Sequence, residues 1–329
     1  MRSPFLAAAV GACTAVVSLS CIPQRGSGEC APGGGVVDPC ADAGNASGGL
    51  PGTPDPGIVP GGTVGFDGGT VERLWFATTG DTRPGFCDRT SEYPTTTITQ
   101  IARAMRGMKV QFAVDLGDHM YVCNGSATVA REQMALYMGA AAQGPATWWM
   151  TMGNHECGND APPFSCFVGD GDANFAAYMA ALRRALPYYF TDVRTALGKA
   201  RFVVVADDSW NAAQADWLES TLAAADTEAA YTVIARHHPM TGSESGNPRI
   251  VATIARHKYS LILTAHSHLY AHDTVDFGGR SVVLGVGGVP TGSLPGFATV
   301  LQNPDRSLTF VRRDANGNPL DVPWTVPPQ

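Results

Sequence analysis

The sequence predicts a mixed domain, α/β in class with an α+β portion, and three observations carry that reading. Strand-length apolar runs alternate with helix-length stretches through the middle of the chain. A succession of strand-like runs closes it, and the alternating strands end in polar clusters. Alternation of this kind implies parallel β-α-β units, and the closing strands imply an added antiparallel portion beyond a simple doubly wound sheet. The 329 residues suffice for a substantial core. Hydrophobic content of 44% and charged content of 16% are ordinary globular values and exclude a disordered chain.

Residues 1–21 read as an export signal. Arg2 supplies a short positive start, and Phe5 to Val17 is apolar and rich in small residues. The stretch is too short for a convincing transmembrane helix. Cys13 follows Val10-Gly11-Ala12 and Cys21 follows Ser18-Leu19-Ser20, each resembling the box before a lipid-modified cysteine in bacterial lipoproteins. Cleavage before Cys21 leaves Cys30, Cys40, Cys87, Cys123, Cys157 and Cys166, an even set that fits disulfides in an oxidising compartment. The expectation is an exported protein, either lipid-anchored at the cell envelope through Cys21 or Cys13 or secreted in soluble form.

Residues 22–69 are dominated by Gly, Pro, Ala and Asp, with almost no aromatics. Such a segment buries too little apolar surface to offset its ordering entropy, so it reads as a flexible tether. Cys30 and Cys40 could close a small loop within it. One catalytic domain is expected to fill 70–329. Its expected strands are 71–79, 110–116, 147–152, 201–206, 231–235 and 260–264. Helices are expected over 95–108, 127–142, 174–186, 214–225 and 249–257. Further strands are expected at 270–277, 281–286, 297–301 and 308–312.

The chemistry sits where strands end, and in open α/β sheets ligands bind beyond the carboxyl ends of strands. The clusters are Gly80-Asp81-Thr82-Arg83, Gly117-Asp118-His119-Met120-Tyr121, Gly153-Asn154-His155-Glu156, Arg236-His237-His238-Pro239 and Ala265-His266-Ser267-His268. Seven of the eight histidines fall in or beside them, with only His257 outside, and scattered structural histidines would not sort themselves this way. Carboxylate, imidazole, amide and phenolate groups suit Zn, Fe or Mn. Two such ions, typically about 3.5–4 Å apart, can share a carboxylate and clamp both oxygens of a phosphoryl transfer. A lone zinc site would use fewer ligands than are on offer. The net charge of −7 argues against a nucleic-acid surface. It permits a small phosphorylated substrate, because metal ions reverse the local sign of a cleft.

In this order, Asp…Gly-Asp-x-x-Tyr…Gly-Asn-His-Glu…His-x-Pro…x-His-x-His resembles the calcineurin-like metallophosphoesterases. Tyr121, three residues after Asp118, makes it most similar to the purple acid phosphatase branch. The resemblance implies a four-layer α/β/β/α sandwich and a binuclear centre of Fe, Zn or Mn. Asp118 would bridge the ions, Asp81, Tyr121 and His268 would complete the first position, and Asn154, His237 and His266 the second. His155 would act near the phosphate as a general acid or a stabiliser of developing charge, with a metal-bound hydroxide as nucleophile. Phosphomonoesters are the expected substrates, with phosphodiesters or nucleotides as alternatives within the class. From the same placement, Cys87 with Cys123 would brace the metal rim, and Cys157 with Cys166 would close the loop after Gly-Asn-His-Glu.

The departures are specific. Arg83 stands where the wider family has His and purple acid phosphatases tend to have Gly; it could contact substrate phosphate or pair with a carboxylate. His272 stands where relatives often carry a phosphate-contacting Arg. Those differences keep open a second class of function, a catalytically silent surface lipoprotein that uses the fold as a binding scaffold. Trp148-Trp149 reads as core, and Gly285-Val286-Gly287-Gly288 opens no helix and so is a turn rather than a nucleotide-binding loop. The absence of a Gly-x-Ser-x-Gly elbow sets a serine hydrolase aside.

Overall fold

The computed structural model describes residues 60–158, 165–169, 171–273 and 276–328. The expected export signal, Cys13, Cys21, Cys30, Cys40 and nearly all of the expected tether lie outside them. In chain order the elements are β1 (Gly62–Gly65), β2 (Gly68–Val71), β3 (Trp75–Thr79), α1 (Thr95–Gly107), β4 (Phe112–Asp115), α2 (Ala127–Ala141) and β5 (Trp148–Met150). Then come α3 (Ala173–Leu182), β6 (Tyr189–Thr195), β7 (Gly198–Val204), α4 (Ala212–Glu228), β8 (Tyr231–Ala235), α5 (Pro248–Ile254) and β9 (Leu261–Thr264). The chain closes with β10 (Tyr270–Asp273), β11 (Ser281–Leu284), β12 (Gly296–Gln302), β13 (Leu308–Asp314) and β14 (Trp324–Val326).

The helices form for local reasons. In α1 the buried Ile98, Ile101, Ala102 and Met105 follow the i, i+3, i+4, i+7 spacing that lines one face. Ser126, Asp172, Asn211 and Asn247 cap α2, α3, α4 and α5, each side chain accepting a backbone N–H of the first turn.

The strands make two sheets, ordered β1-β2-β6-β7-β8-β9-β11-β10 and β14-β13-β12-β3-β4-β5. Their faces meet through aromatic rings: Phe76 and Phe112 of the second sheet stand edge-on to Phe202 of the first at 5.1 and 5.2 Å, beside Trp149. On the outer face of the first sheet, Leu218, Leu222, Ile250 and Ile254 of α4 and α5 pack on Val203, Ile234 and Ile262. On the outer face of the second, Ile101 and Met105 of α1 cover Trp75, Ala77 and Ala113. The expected α/β/β/α layering is the observed one, and Trp149 is core as expected.

Register places the site. In one sheet β3, β4 and β5 run parallel with Thr79 level with Asp115 and Asp115 level with Met150. In the other, β7, β8 and β9 run parallel with Val204 level with Ala235 and Ala235 level with Leu263. The polar clusters therefore leave both sheets at corresponding strand ends.

The tether boundary at 69 needs correction, because 62–69 belong to the sheet. The β1–β2 hairpin pairs through β2 with β6. Its Gly- and Thr-rich sequence has no apolar alternation to announce a strand; backbone pairing holds it. Gly68 sits at φ 109°, where an added Cβ would meet the Asp192 carbonyl. Strands β6 and β14 were not expected either. The helix expected over 174–186 stops at Leu182, where Arg183 turns left-handed at φ 54°.

Candidate metal centre

The clusters are held by strained turns. Asp81, Asp118, His266 and His268 adopt positive φ of 57°, 59°, 69° and 51°. Such conformations cost on the order of 1–3 kcal/mol each and persist only where the surroundings over-determine them. Here they do. The N–H groups of Asp81 and Thr82 donate to the carbonyls of Gly117 and Asp118, both at 3.0 Å. The fully buried Glu156 accepts from the backbone N–H of Gly153 at 2.6 Å, Asp118 at 3.0 Å and His119 at 2.7 Å, tying two strand ends together. Two glycines allow the close approach: a Cβ on Gly153 would strike Asp118 Oδ1, and one on Gly285 would strike Asp81 Oδ2.

Inside these turns, lone pairs converge. Asn154 Oδ1 lies 3.2 Å from His237 Nε2 and 3.0 Å from His266 Nδ1. His237 Nε2 is 3.3 Å from both His266 Nδ1 and Asp118 Oδ1. Separations of this size match the edges of a coordination shell with bonds of about 2.0–2.2 Å. The ring of His237 is fixed from behind by the Leu116 carbonyl, 2.7 Å from Nδ1, which leaves Nε2 for a metal. Asp81, Asp118 and His237 also bring ligand atoms within 4.8 Å of one another. Asp81 Oδ1 is buried without a hydrogen-bond partner among the described residues, and its Oδ2 accepts from the His266 N–H at 2.9 Å. An orphaned buried carboxylate oxygen beside facing imidazole nitrogens is what a cation site looks like, and the expected second-position residues fit a metal ion.

The first position is different. Arg83, only 6% exposed, donates from Nε to Asp118 Oδ2 at 3.1 Å, and one terminal nitrogen lies 3.1 Å from His268 Nε2. The remaining terminal nitrogen donates to the Pro84 carbonyl at 3.1 Å. The guanidinium carbon stands 4.5 Å over the Tyr121 ring, which in turn packs against His155 at 4.2 Å. His155 Nε2 is 3.9 Å from Asp118 Oδ2. Thus Asp81, Arg83, Asp118, Tyr121, Asn154, His155, His237, His266 and His268 come together in one place. His272 does not. Its ring stacks on Trp324 with centroids 3.6 Å apart, and its Nε2 is 3.0 Å from the Gly279 carbonyl. Its place on edge strand β10 turns it to that packing contact and away from the cluster.

The electrostatics agree with a cation-binding role. Burial, then the nearby Asp118 charge, pushes Asp81 well above the usual carboxylate range. Burial would raise Asp118 too, but His237, His155 and Arg83 outweigh it and hold it well below that range. Burial lowers His237 strongly and brings His266 and His155 to about 4. A neutral imidazole keeps one nitrogen lone pair free to face a cation while its other nitrogen carries a proton.

Several supporting residues stood inside the expected clusters, His119, Arg236 and His238 beside the expected ligands, but were assigned no partners; Asp207 and Asp208 lay outside the expected set. His119 is fully buried between Asp115, 2.7 Å from its Nε2, and Glu156; burial opposes its charge, but the two carboxylates raise it to about 10. His238 pairs with Asp208 at 3.1 Å, and Arg236 with Asp207. Their signal was present as polar residues one or two places from the ligands, but nothing local assigns them partners. Beside His266 opens a cavity of about 550 Å³ lined by Asp207, Asp208, Trp210, His238 and Glu244. The disulfides Cys87–Cys123 and Cys157–Cys166 are both formed, the first bracing the loops after Asp81 and Asp118 as expected.

The calcineurin-like phosphoesterase family profile matches residues 75–270. No curated protein sequence matches the chain. Among solved structures, the chain is similar to a purple acid phosphatase from yellow lupin (Lupinus luteus) seeds, with TM-score 0.55 and 16% identity over 78% of this chain. It spans 55% of that enzyme's length. GAP50, the anchor in the inner membrane complex of Plasmodium, gives TM-score 0.55 at 13% identity, covering 78% of this chain and 89% of its own. A dimetal phosphatase from Danio rerio gives 0.50 at 14%, covering 78% and 99%. At these identities the likeness is one of fold.

Proposed function

This chain belongs to the calcineurin-like phosphoesterase family, and from that premise we propose that it hydrolyses phosphomonoesters at the cluster around Asp118. The observation that carries the reading is the convergence of Asp118 Oδ1, Asn154 Oδ1, His237 Nε2 and His266 Nδ1 at separations of 3.0–3.3 Å. These residues, with Asp81, would hold Fe, Zn or Mn. When bound, such an ion polarises a phosphoryl oxygen and acidifies water.

The chain's own groups do the rest. His155, held at about 4 chiefly by burial, meets substrate as a neutral imidazole and donates one N–H to a phosphoryl or leaving-group oxygen. Arg83 contributes a permanent positive charge at the same place. A monoester carries roughly two negative charges near neutral pH and a diester one, so this added charge favours the monoester. The cavity beside His266 would receive the leaving group. Export is part of the proposal: the two disulfides support an oxidising compartment, with lipid attachment through Cys21 or Cys13 or soluble release as the alternatives. Among the described residues no helix is long and apolar enough to cross a membrane.

The test is hydrolysis of an aryl phosphate monoester and the matching diester by the full chain. The monoester should turn over faster, a chelator should abolish turnover, and Asp118→Ala should lower kcat/KM by a factor on the order of a thousand. A second reading is a silent scaffold, favoured by the guanidinium on first-position ligands and by the existence of an anchor protein with this fold. It prevails if no turnover appears after Fe, Zn and Mn are each supplied.

A further inference from the structure

We propose that the centre binds one metal ion, and that the Arg83 guanidinium stands in place of the second. The inference rests on the metal-dependent reading above but concerns stoichiometry, which is measured without turnover.

The argument is one of occupied lone pairs. The first position was expected to use Asp81, Asp118, Tyr121 and His268. Arg83 takes Asp118 Oδ2 through Nε and His268 Nε2 through a terminal nitrogen, both at 3.1 Å, and covers the face of Tyr121 at 4.5 Å. Arginine has five N–H donors and no acceptor, so the contacts with Asp118 Oδ2 and His268 Nε2 consume two acceptors that a metal would need. It does not lose its proton under working conditions, so a divalent ion placed there would face a fixed like charge at contact range.

Nor is the guanidinium a passing surface group. All three of its nitrogens have protein partners, on Asp118, His268 and Pro84, and the residue is 6% exposed. Asp118 thereby faces two ways, with Oδ2 on Arg83 and Oδ1 3.3 Å from His237 Nε2, on the side where Asn154 and His266 converge. Among the described residues no guanidinium or ammonium group is hydrogen-bonded to Asn154, His237 or His266, and His238, whose ring lies 4.3 Å from that of His266, is paired with Asp208 at 3.1 Å. One position is therefore open to a metal and the other is closed by the chain's own side chain.

The experiment is Mn(II) titration of the chelator-stripped full chain, read by elemental analysis and by electron paramagnetic resonance. The expected result is one Mn(II) per chain, binding without cooperativity and giving the six-line spectrum of an isolated ion. Arg83→Ala, if folded by circular dichroism, should take up a second ion and show a spin-coupled spectrum. Two ions with a coupled spectrum in the unaltered chain would overturn the inference, as would binding of none. A folded Arg83→Ala chain that still holds one ion would also overturn it, because the guanidinium would then not be what closes the position. If that variant does not fold, the spectrum of the unaltered chain decides alone. One bound ion without hydrolysis of the aryl phosphate leaves this inference standing and removes the proposed activity instead.

Discussion

Glu156 ties together the turns that carry Asp118 and Asn154, and its replacement by glutamine has a calculable effect. Oε2 accepts from Gly153 N at 2.6 Å and Asp118 N at 3.0 Å; Oε1 accepts from His119 N at 2.7 Å and lies 3.3 Å from His119 Nδ1. In Glu156→Gln one of these oxygens becomes an NH₂ group. With His119 protonated on both nitrogens, as its rise to about 10 implies, two N–H groups in a fully buried site face a donor instead of an acceptor whichever way the amide turns. Each such loss costs about 1–3 kcal/mol, so the variant should lose about 2–6 kcal/mol of stability. For a domain of about 260 residues each kcal/mol moves the midpoint by roughly 2–4 °C, which gives a fall on the order of 10 °C. Because Asp118 and Asn154 sit on the released turns, metal affinity should fall about 10–100-fold as well. Thermal denaturation of the metal-free chain, followed by Mn(II) titration of the folded variant, measures both. A midpoint within about 1 °C of the unaltered chain would mean that the turns are held by something other than this carboxylate.

Other perturbations test other levels of the structure. Phe202→Ala removes the ring on which Phe76, Phe112 and Trp149 converge between the sheets; it should cost about 3–5 kcal/mol in denaturant unfolding without changing metal stoichiometry. Breaking Cys87–Cys123, which closes 36 residues, should cost about 4 kcal/mol, against about 3 for Cys157–Cys166, which closes 9. Reactive thiols at these four positions in denatured, unreduced protein would contradict both bonds. Asp192 would be raised by burial, but the bidentate Arg201 fork at 2.8 and 2.9 Å, with Lys199, lowers it below its usual value. Its contribution of about 1 kcal/mol is therefore present above the unfolded carboxylate pKa near 3.9 and lost as pH falls through the lower folded value. The stability gap between the unaltered chain and Asp192→Asn should be constant near neutrality and close in acid, as urea midpoints at several pH values would reveal.

The sequence by itself determined the class of fold and picked out most of the side chains that the structure brings together around Asp118. Local patterns sufficed for this: the amphipathic spacing of Ile98, Ile101 and Met105, the largely apolar, β-prone 231–235, and short ligand clusters placed directly after strands all record themselves within a few residues. Two kinds of feature needed the tertiary structure. Strands β1 and β2 are Gly- and Thr-rich and owe their place to pairing with distant β6, so no apolar period marks them. The site's partnerships are also non-local. His119 with Glu156, His238 with Asp208 and Arg83 with Asp118 join the ends of strands that neighbour each other in one sheet, and Arg83 with His268 joins the two sheets, each contact falling within 3–4 Å. His272 shows the converse, since its motif position points to the site while its strand pairing and Trp324 hold it elsewhere. A motif records which side chains are available; which lone pair faces which cation is decided by the distance between strands that are remote in sequence.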